Sequence, residues 1–254
     1  APIQKSLPLL RVFHKLGVRY ITLTHNGDNE IADSAAQGQR WHGLSPFGRE
    51  VVAEMNRLGM IVDVAHASDE TFYDVLEYSR APIVSTHSCC RALAHHRRNM
   101  SDEMLRALAD KGGVIQINFY PVFLSDAFAK TLADSGLESK SWTEQDWIND
   151  PLNPEKDAAW NAVLDEFAAL PRPSYKDVVD HIDHAVKVAG IDSVGIGTDF
   201  DGIEVTPAGL ENISKIGVIF DEMSSRGYTD DQIEKVAGKN FLRVFNDVTS
   251  LTAK

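Results

Sequence analysis

Cysteine is nearly absent from the sequence, which has only Cys89 and Cys90, side by side. Adjacent cysteines rarely bridge each other, so we expect no disulfide framework and interpret the pair as two small buried thiols. Long hydrophobic runs are absent as well, since no stretch approaches the roughly 18–20 apolar residues that a membrane-spanning helix needs. The sequence therefore predicts a chain that does not cross a bilayer.

Positive charge is also scarce, with 25 Lys and Arg against 37 Asp and Glu and a formal net charge of −12. Proteins that bind nucleic acid or anionic membranes present a basic face, so we expect neither partner. The first residues, APIQKSLPLL, show no basic region before a long apolar core, so no signal peptide is visible. The compartment stays open: the cytoplasm, or the periplasm or exterior if a leader was removed.

Five short segments are rich in β-branched residues and apolar on both faces, as buried strands are. They are Tyr20–His25, Ile61–His66, Pro82–His87, Gly113–Phe119 and Ser193–Phe200. Helical patterns separate them, opened by the N-cap candidates Ser45, Ser101, Ser174 and Thr229. The alternation predicts an α/β fold in which helices cover a parallel sheet.

The segment Pro121–Pro173 breaks this rhythm, because it separates two strands by more residues than a crossover helix needs. We interpret the region at about 121–173 as a lid-like insertion over one end of the sheet. A second domain is less favoured, because so short a segment makes a thin core. The chain is thus expected to form one domain over residues 1–254.

Polar residues end the predicted strands: His25, His66, His87, Asn118 and Asp199. A parallel barrel builds its active site at the carboxyl ends of its strands, from one residue on each of several. A single histidine there is more often structural than functional. Three histidines and an aspartate on successive strands instead favour a functional site.

Strand alternation adds a second criterion. His66 shares its parity with Val62 and Val64, so the valines are expected to fill the interior while His66 reaches the rim. Asp63 has the opposite parity and is expected to face the helices. We therefore leave Asp63 out of the site.

The residue types indicate metal-assisted hydrolysis. Histidine nitrogen and carboxylate oxygen are zinc-type ligands, and a catalytic zinc lowers the pKa of its bound water from about 15.7 to about 7. A neighbouring carboxylate can then move protons, and an imidazole can stabilise the developing oxyanion. No G-x-S-x-G elbow competes with this interpretation, and GIGTDFDG lacks the glycine spacing of a dinucleotide-binding loop.

The loop LAHHRRNMSDE, after the third predicted strand, carries His95, His96 and Arg98. A guanidinium overhanging the strand ends could bind a substrate carboxylate in a bidentate manner. A surface basic cluster is the alternative, and position alone does not decide between them. His181 and His184 lie three residues apart on a predicted helix, and we interpret them as a solvated helix edge rather than a metal site.

Six segments resemble the renal or membrane dipeptidases, the zinc dipeptidases of the amidohydrolase superfamily. They are YITLTHN, GLSPFGREVVAEMNRLGMIVDVAHAS, APIVSTHS, RRNMSDEMLR, INFY and GIGTDFDG, and they follow the family's order along most of the chain. The resemblance implies a (β/α)8 TIM barrel with two zinc ions, a homodimer, and a small dipeptide substrate.

The resemblance also implies roles for the matching residues. His66 and His87 would hold one of the two zinc ions, and Asp199 would exchange protons with the metal-bridging water and the leaving amine. His25 would polarise the scissile carbonyl. Arg98 would bind the terminal carboxylate of the substrate, and Tyr120 would line the pocket.

The chain departs from the family pattern at its start. Family members begin the barrel with a strand ending in His-x-Asp, and a glutamate on a later strand bridges both metals. Here no predicted strand ends in His-x-Asp, and no acidic residue precedes Asp28. We therefore expect the C-terminal part of a dipeptidase, with about five of the eight βα units, at most one well-held zinc ion and little turnover from this chain alone.

Two alternatives stay open. One is another amidohydrolase, acting on a lactone, an N-acyl amino acid or a phosphoester. The other is a non-catalytic degenerate barrel, which the missing ligands favour and the presence of His25, Arg98 and Asp199 opposes.

Overall fold

The computed structural model describes residues 3–251, apart from the side chains at 141 and 142. The strands are Tyr20–Thr22 (β1), Ile61–Asp63 (β2), Val84–Ser88 (β3), Val114–Asn118 (β4) and Val194–Gly197 (β5). The α-helices are Leu7–Lys15 (α1), Pro46–Leu58 (α2), Asp69–Tyr78 (α3), Asp102–Asp110 (α4), Pro121–Leu124 (α5), Asp126–Ser135 (α6), Ser141–Asn149 (α7), Pro154–Ala168 (α8), Tyr175–Ala189 (α9), Gly217–Ser225 (α10), Asp230–Glu234 (α11) and Asn240–Ser250 (α12).

The five strands form one parallel sheet in the order β1-β2-β3-β4-β5. The predicted α/β class and the parallel sheet are confirmed. Within residues 3–251, β1 and β5 each pair with a strand on one side only, as in a partial barrel. The sheet is strongly curled. The curvature brings Gly197 of β5 so close to β3, two strands away, that a Cβ at this position would overlap the carbonyl oxygen of Thr86.

Three strands end three residues earlier than predicted, at the ends of β1, β2 and β5. His25, His66 and Asp199 therefore lie in the loops that follow these strands. His66 and Asp199 have φ angles of 65° and 58°, in the left-handed region that interrupts a strand. The parity argument that extended from Val62 and Val64 to His66 was wrong, because the alternation stops before His66.

The predicted helix caps are present. The side chains of Ser45, Ser101 and Ser174 accept hydrogen bonds from backbone amides in the first turns of α2, α4 and α9. Thr229 caps α11 in the same way. The helix that begins after Thr229 is short, because a π-helical turn at Lys235–Lys239, kinked at Gly238, separates α11 from α12.

A buried apolar cluster lies at the amino ends of the central strands. The first residues of β2, β3 and β4, which are Ile61, Val84 and Val114, form a buried cluster with Val244 and Val248 of α12. Each fully buried side chain of this size stabilises the fold by roughly 1.5–3 kcal/mol. Helix α12 thus closes the amino end of the sheet, and the loops at the opposite end build the site.

The segment at 121–173 contains α5 to α8 and has its own buried cluster. Phe128, Leu132, Trp160 and Phe167 pack there with Val205 from the loop after β5. The segment therefore rests on a loop at the carboxyl end of the sheet. Its lid-like role and the assignment of residues 1–254 to one domain stay predictions.

Both cysteines are free and buried, as predicted. Burial raises the pKa of both thiols, to about 12 for Cys90. No helix in the described part of the chain is long and apolar enough to span a membrane.

Candidate active site

A cavity of about 1290 Å³ opens at the carboxyl end of the sheet. It is lined by all six residues proposed from the sequence: His25, His66, His87, Arg98, Tyr120 and Asp199. His87 lies in β3, and the other five residues lie in loops that follow the strands. The fold thus brings together side chains that are far apart in sequence.

The three histidines form a contiguous row. The ring centres of His25 and His66 are 4.5 Å apart, and those of His66 and His87 are 5.0 Å apart, with the second pair edge to face. His25 is exposed, whereas the other two are partly buried.

His66 is held as a neutral imidazole. Burial lowers the pKa of His66 to about 2, with further lowering by the charges of Arg98, His87 and His25. Its Nδ1 lies 3.1 Å from the amide oxygen of Asn26, so Nδ1 donates and Nε2 keeps a lone pair. A neutral imidazole with a free nitrogen is the form that binds metals.

His87 is also kept from protonation, mainly by burial. Burial lowers the pKa of His87, while the carboxylates of Asp63 and Asp199 partly offset this effect. Nδ1 lies 2.8 Å from the hydroxyl oxygen of Thr86. The ring thus has one nitrogen in a protein contact and the other available.

Arg98 is a buried cation. It is 8% exposed, and its guanidinium makes one long hydrogen bond to the described residues, 3.5 Å from Nη2 to the carbonyl oxygen of His87. Burial lowers the pKa of Arg98 to about 10, against the opposing effect of Asp63 and Asp199. Among the described residues no carboxylate lies within ion-pair distance of it. The surface-cluster alternative for Arg98 does not agree with this burial.

Asp199 is positioned by an unusual backbone and by one amide. Its Oδ2 accepts a hydrogen bond of 3.0 Å from Nδ2 of Asn118, the last residue of β4. A Cβ at Gly202 would overlap Oδ1, so a larger residue at that position would displace the Asp199 carboxylate. The left-handed φ of Asp199 costs energy and is sustained by these contacts.

Tyr120 lies at the insertion side of the cavity. Its hydroxyl contacts the carboxylate of Glu204, and burial, then the charge of Glu204, raises the pKa of Tyr120 well above its ordinary value. Glu138 and Glu144 line the same part of the cavity. His96, whose pKa burial lowers to about 4, stacks at 4.5 Å on Phe123 at the cavity wall.

The interpretation of His181 and His184 as a solvated helix edge was wrong. His181 is not on a solvated helix edge: it is 1% exposed, and its ring accepts from the amide of Cys90 and donates to the carbonyl of Leu124. His181–Asp183 has the His-x-Asp spacing, but it lies on α9 and not at a strand end. His184 binds Asp102 at 2.7 Å, so neither histidine belongs to the cavity.

Asp63 does not face the helices, which also corrects the prediction. Its carboxylate accepts hydrogen bonds from the hydroxyls of Thr22 in β1 and Thr86 in β3, at 2.6 and 2.7 Å. Sequence reasoning missed Asp63, Asn26 and Thr86 as contacts of site residues. Only the proximity of Asn26 to His25 in the motif LTHN hinted at one of them.

The donor set fits a metal ion only in part. His66 and His87 are neutral and have a free nitrogen each, as ligands need. Within the described residues, however, no group of three or more His, Cys, Asp or Glu side chains is arranged to hold a metal. The described residues therefore supply two imidazoles of the form that binds metals, and no third side chain grouped with them to complete a site.

The family model of the membrane dipeptidases, peptidase family M19, matches residues 1–254. The chain belongs to this family. An uncharacterized dipeptidase of Schizosaccharomyces pombe is 38% identical over 247 residues, which are 96% of this chain and 50% of that protein. Dipeptidase tcpJ of Claviceps purpurea is 36% identical over 249 residues, 98% of this chain and 49% of that protein.

The fold comparison agrees. The probable dipeptidase PvdM from Pseudomonas aeruginosa superposes with a TM-score of 0.81 at 32% identity, covering 98% of this chain and 67% of that one. The resemblance to the membrane dipeptidases is thus confirmed, as is the barrel-type α/β fold. The chain spans about half the length of the curated M19 relatives it matches.

Proposed function

We propose that this chain carries the substrate-binding and proton-transfer part of a zinc dipeptidase site, which hydrolyses dipeptides with a free C-terminal carboxylate. Membership of the M19 family supports the reaction class, as do the names of relatives. The single observation that carries the substrate assignment is Arg98, a buried guanidinium on the cavity wall without a carboxylate partner among the described residues.

Burying a charge without a partner costs several kcal/mol, so the rest of the fold must compensate for Arg98. A substrate carboxylate would supply the missing partner and could bind the guanidinium through two parallel hydrogen bonds. A substrate without that anion would leave the cost unrelieved. Arg98 thereby favours an amino acid or peptide carboxylate over a neutral lactone.

In this proposal His66 and His87 would hold one zinc ion. Bound zinc would supply an activated water at neutral pH and would polarise the peptide carbonyl. The chain's own contribution is to keep both imidazoles neutral by burial and to leave one nitrogen of each ring free. The remaining ligands lie outside the set that the described residues provide.

Asp199 and His25 would act on the peptide itself. Asn118 holds Oδ2 of Asp199, which leaves Oδ1 as the oxygen that takes up a proton from water and passes it to the leaving amine. His25 stands beside His66 in the same cavity and would donate a hydrogen bond to the carbonyl oxygen. Tyr120 and the insertion would enclose the substrate from the other side.

A second candidate is a non-catalytic binding protein on the same scaffold. The lack of a three-ligand group among the described residues favours it. Such a protein would bind a dipeptide through Arg98 and release it intact. Hydrolysis in the presence of zinc separates the two candidates.

The test compares Ala-Ala with its C-terminal amide on the wild type, Arg98→Met and the control Arg106→Met, whose arginine is more than half exposed on α4. Calorimetry measures binding, and chromatography measures cleavage with zinc present. We expect the wild type to bind Ala-Ala at least about tenfold better than the amide, equal to about 1.4 kcal/mol, and Arg98→Met to lose that preference. Equal binding of both ligands by the wild type would contradict the proposal.

The family resemblance also leads us to propose a homodimer. Light scattering on the purified chain tests it, with a mass of twice 28.1 kDa expected. A mass of one chain at micromolar concentration would contradict the dimer and would leave the proposed chemistry untouched.

A further inference from the structure

Asp63 uses its whole acceptor capacity on groups from β1, β3 and the loop that follows β2. Oδ2 accepts from the hydroxyls of Thr22 and Thr86, and Oδ1 accepts from the amides of Ala65 and Thr86, each at 3.0 Å. The residue is fully buried, and no cation of the described part of the chain forms an ion pair with it. A carboxylate so placed needs every one of these donors.

The hydroxyl of Thr86 contacts two groups at once, Asp63 at 2.7 Å and Nδ1 of His87 at 2.8 Å. A hydroxyl has one proton, and an ionised carboxylate can only accept. The Thr86 proton therefore goes to Asp63, and the oxygen lone pair must accept a proton from His87. This fixes the imidazole proton on Nδ1 and leaves Nε2 with its lone pair.

The backbone of β3 supports the same arrangement. The pairing of β3 with β4 shifts register between Ser85 and Ser88, which takes Thr86 and His87 out of the regular ladder. The Thr86 amide bonds Asp63 in place of a backbone carbonyl. Irregularities of this kind re-aim side chains at the rims of barrels.

We infer that Asp63, acting through Thr86, is a positioning residue that fixes the His87 tautomer and presents Nε2 to the cavity as a metal ligand. The inference deepens the proposed function, because it takes His87 as a ligand. Acceptors behind metal-binding histidines orient the ring and raise its basicity. The relay differs from the usual carboxylate–histidine pair in having a threonine hydroxyl between the two groups.

The primary test reads the tautomer directly in the metal-free chain. Long-range proton–nitrogen correlation spectra of protein labelled with 15N-histidine distinguish Nδ1–H from Nε2–H, and His87→Ala assigns the signal. We expect Nδ1–H in the wild type, its loss in Thr86→Val, and its retention in Thr86→Ser. Thr22→Val is the matched control, because it removes the other hydroxyl on the same carboxylate oxygen without touching His87.

A wild-type His87 with its proton on Nε2 would overturn the inference without any variant, so the test does not depend on Thr86→Val folding. An unchanged tautomer in folded Thr86→Val would also overturn it. His66 is an internal reference, because its Nδ1 contacts Asn26 and should keep its proton in all three threonine variants.

Zinc titration followed by competition with a chromophoric chelator separates the relay from the ligand role. We expect Thr86→Val to weaken zinc binding by about 10–100-fold, as loss of an outer-shell partner does, while Thr86→Ser and Thr22→Val stay near the wild type. If the tautomer follows the prediction but His87→Ala leaves zinc affinity unchanged, the relay stands and the proposed ligand role fails. If Thr86→Val changes the tautomer and leaves zinc affinity unchanged while His87→Ala weakens it, the inference that the relay serves the metal is overturned.

Discussion

The guanidinium carbon of Arg98 lies 5.4 Å from the centre of the Phe123 ring, and both side chains line the same cavity. The ring stabilises the buried cation modestly, by roughly 0.5–2 kcal/mol, which does not offset the loss of hydration. Without a bound anion, Arg98 is therefore a group that costs stability. That cost leads to the first prediction.

Arg98→Met is expected to raise the free energy of unfolding by about 1 kcal/mol, because an apolar side chain of similar length replaces an unpaired buried charge. Urea denaturation of both proteins without substrate measures the change. The control Arg106→Met removes a charge from the surface of α4 and is expected to stay within about 0.5 kcal/mol of the wild type. A loss of more than about 1 kcal/mol in Arg98→Met would show that the guanidinium is structural.

Zinc stoichiometry gives the second prediction. The chain is expected to bind at most one zinc ion, because His66 and His87 are the two ligands that we propose for it among the described residues. Metal analysis after equilibrium dialysis measures the number of ions bound. His66→Ala or His87→Ala is expected to weaken binding at least about tenfold, whereas His95→Ala, an exposed histidine paired with Asp126, should not. Two tightly held ions per chain would show that other residues complete the shell.

Gly197→Ala is the third prediction. The new methyl group would overlap the carbonyl oxygen of Thr86 and lie 3.0 Å from Cβ of Gln116. Backbone atoms cannot move away cheaply, so we expect a loss of about 1–3 kcal/mol of stability. Gly217→Ala is the matched control, since nothing lies within 4 Å of its Cβ position. Thermal melting of both variants measures the loss. If Gly197→Ala melts at the same temperature as Gly217→Ala, β5 can shift away from β3.

The fourth prediction concerns acid stability and rests on Glu54. Hydrogen bonds from Arg57 and Arg11, opposed by burial, lower the pKa of Glu54 to about 2 from an ordinary value of 4.5. A depressed pKa stabilises the fold above the unfolded value, and this contribution is lost as the pH falls from 4.5 towards 2. Because Arg11 and Arg57 are about half exposed or more, we expect only about 1–2 kcal/mol.

Glu54→Gln measures this contribution. At pH 7 the variant should unfold more easily in urea than the wild type, and the gap should narrow as the pH falls below 4.5. Glu50→Gln, on the exposed side of the same helix, is the control for the loss of one negative charge. A gap that stays constant from pH 7 to 3.5 would show that the ion pair does not stabilise the fold.

The sequence predicted the fold well because local patterns determine it. Strand segments, helix caps such as Ser45 and Ser174, and the parallel order all follow from local residue preferences. Strand ends were less predictable. The left-handed turns at His66 and Asp199 accompany contacts with Asn26 and Asn118, which come from distant parts of the chain and are not visible in a local pattern.

The sequence predicted which residues line the site but not the hydrogen bonds that connect them to their neighbours. Six residues that line the cavity could be named because they match a family motif or end a strand. The role of Asp63 could not, because its partners Thr22 and Thr86 lie in two other strands and are visible only once the sheet is paired. His181 was misjudged for the same reason, since its partners Cys90 and Leu124 are remote in sequence.

The packing of Val205 among the side chains of the insertion couples two parts of the molecule mechanically. Val205 follows Asp199 by only a few residues, and its neighbour Glu204 holds the hydroxyl of Tyr120. If the insertion moved outward, it would pull on the short segment that also carries the Asp199 carboxylate. The position of the Asp199 carboxylate would then depend on the position of the insertion.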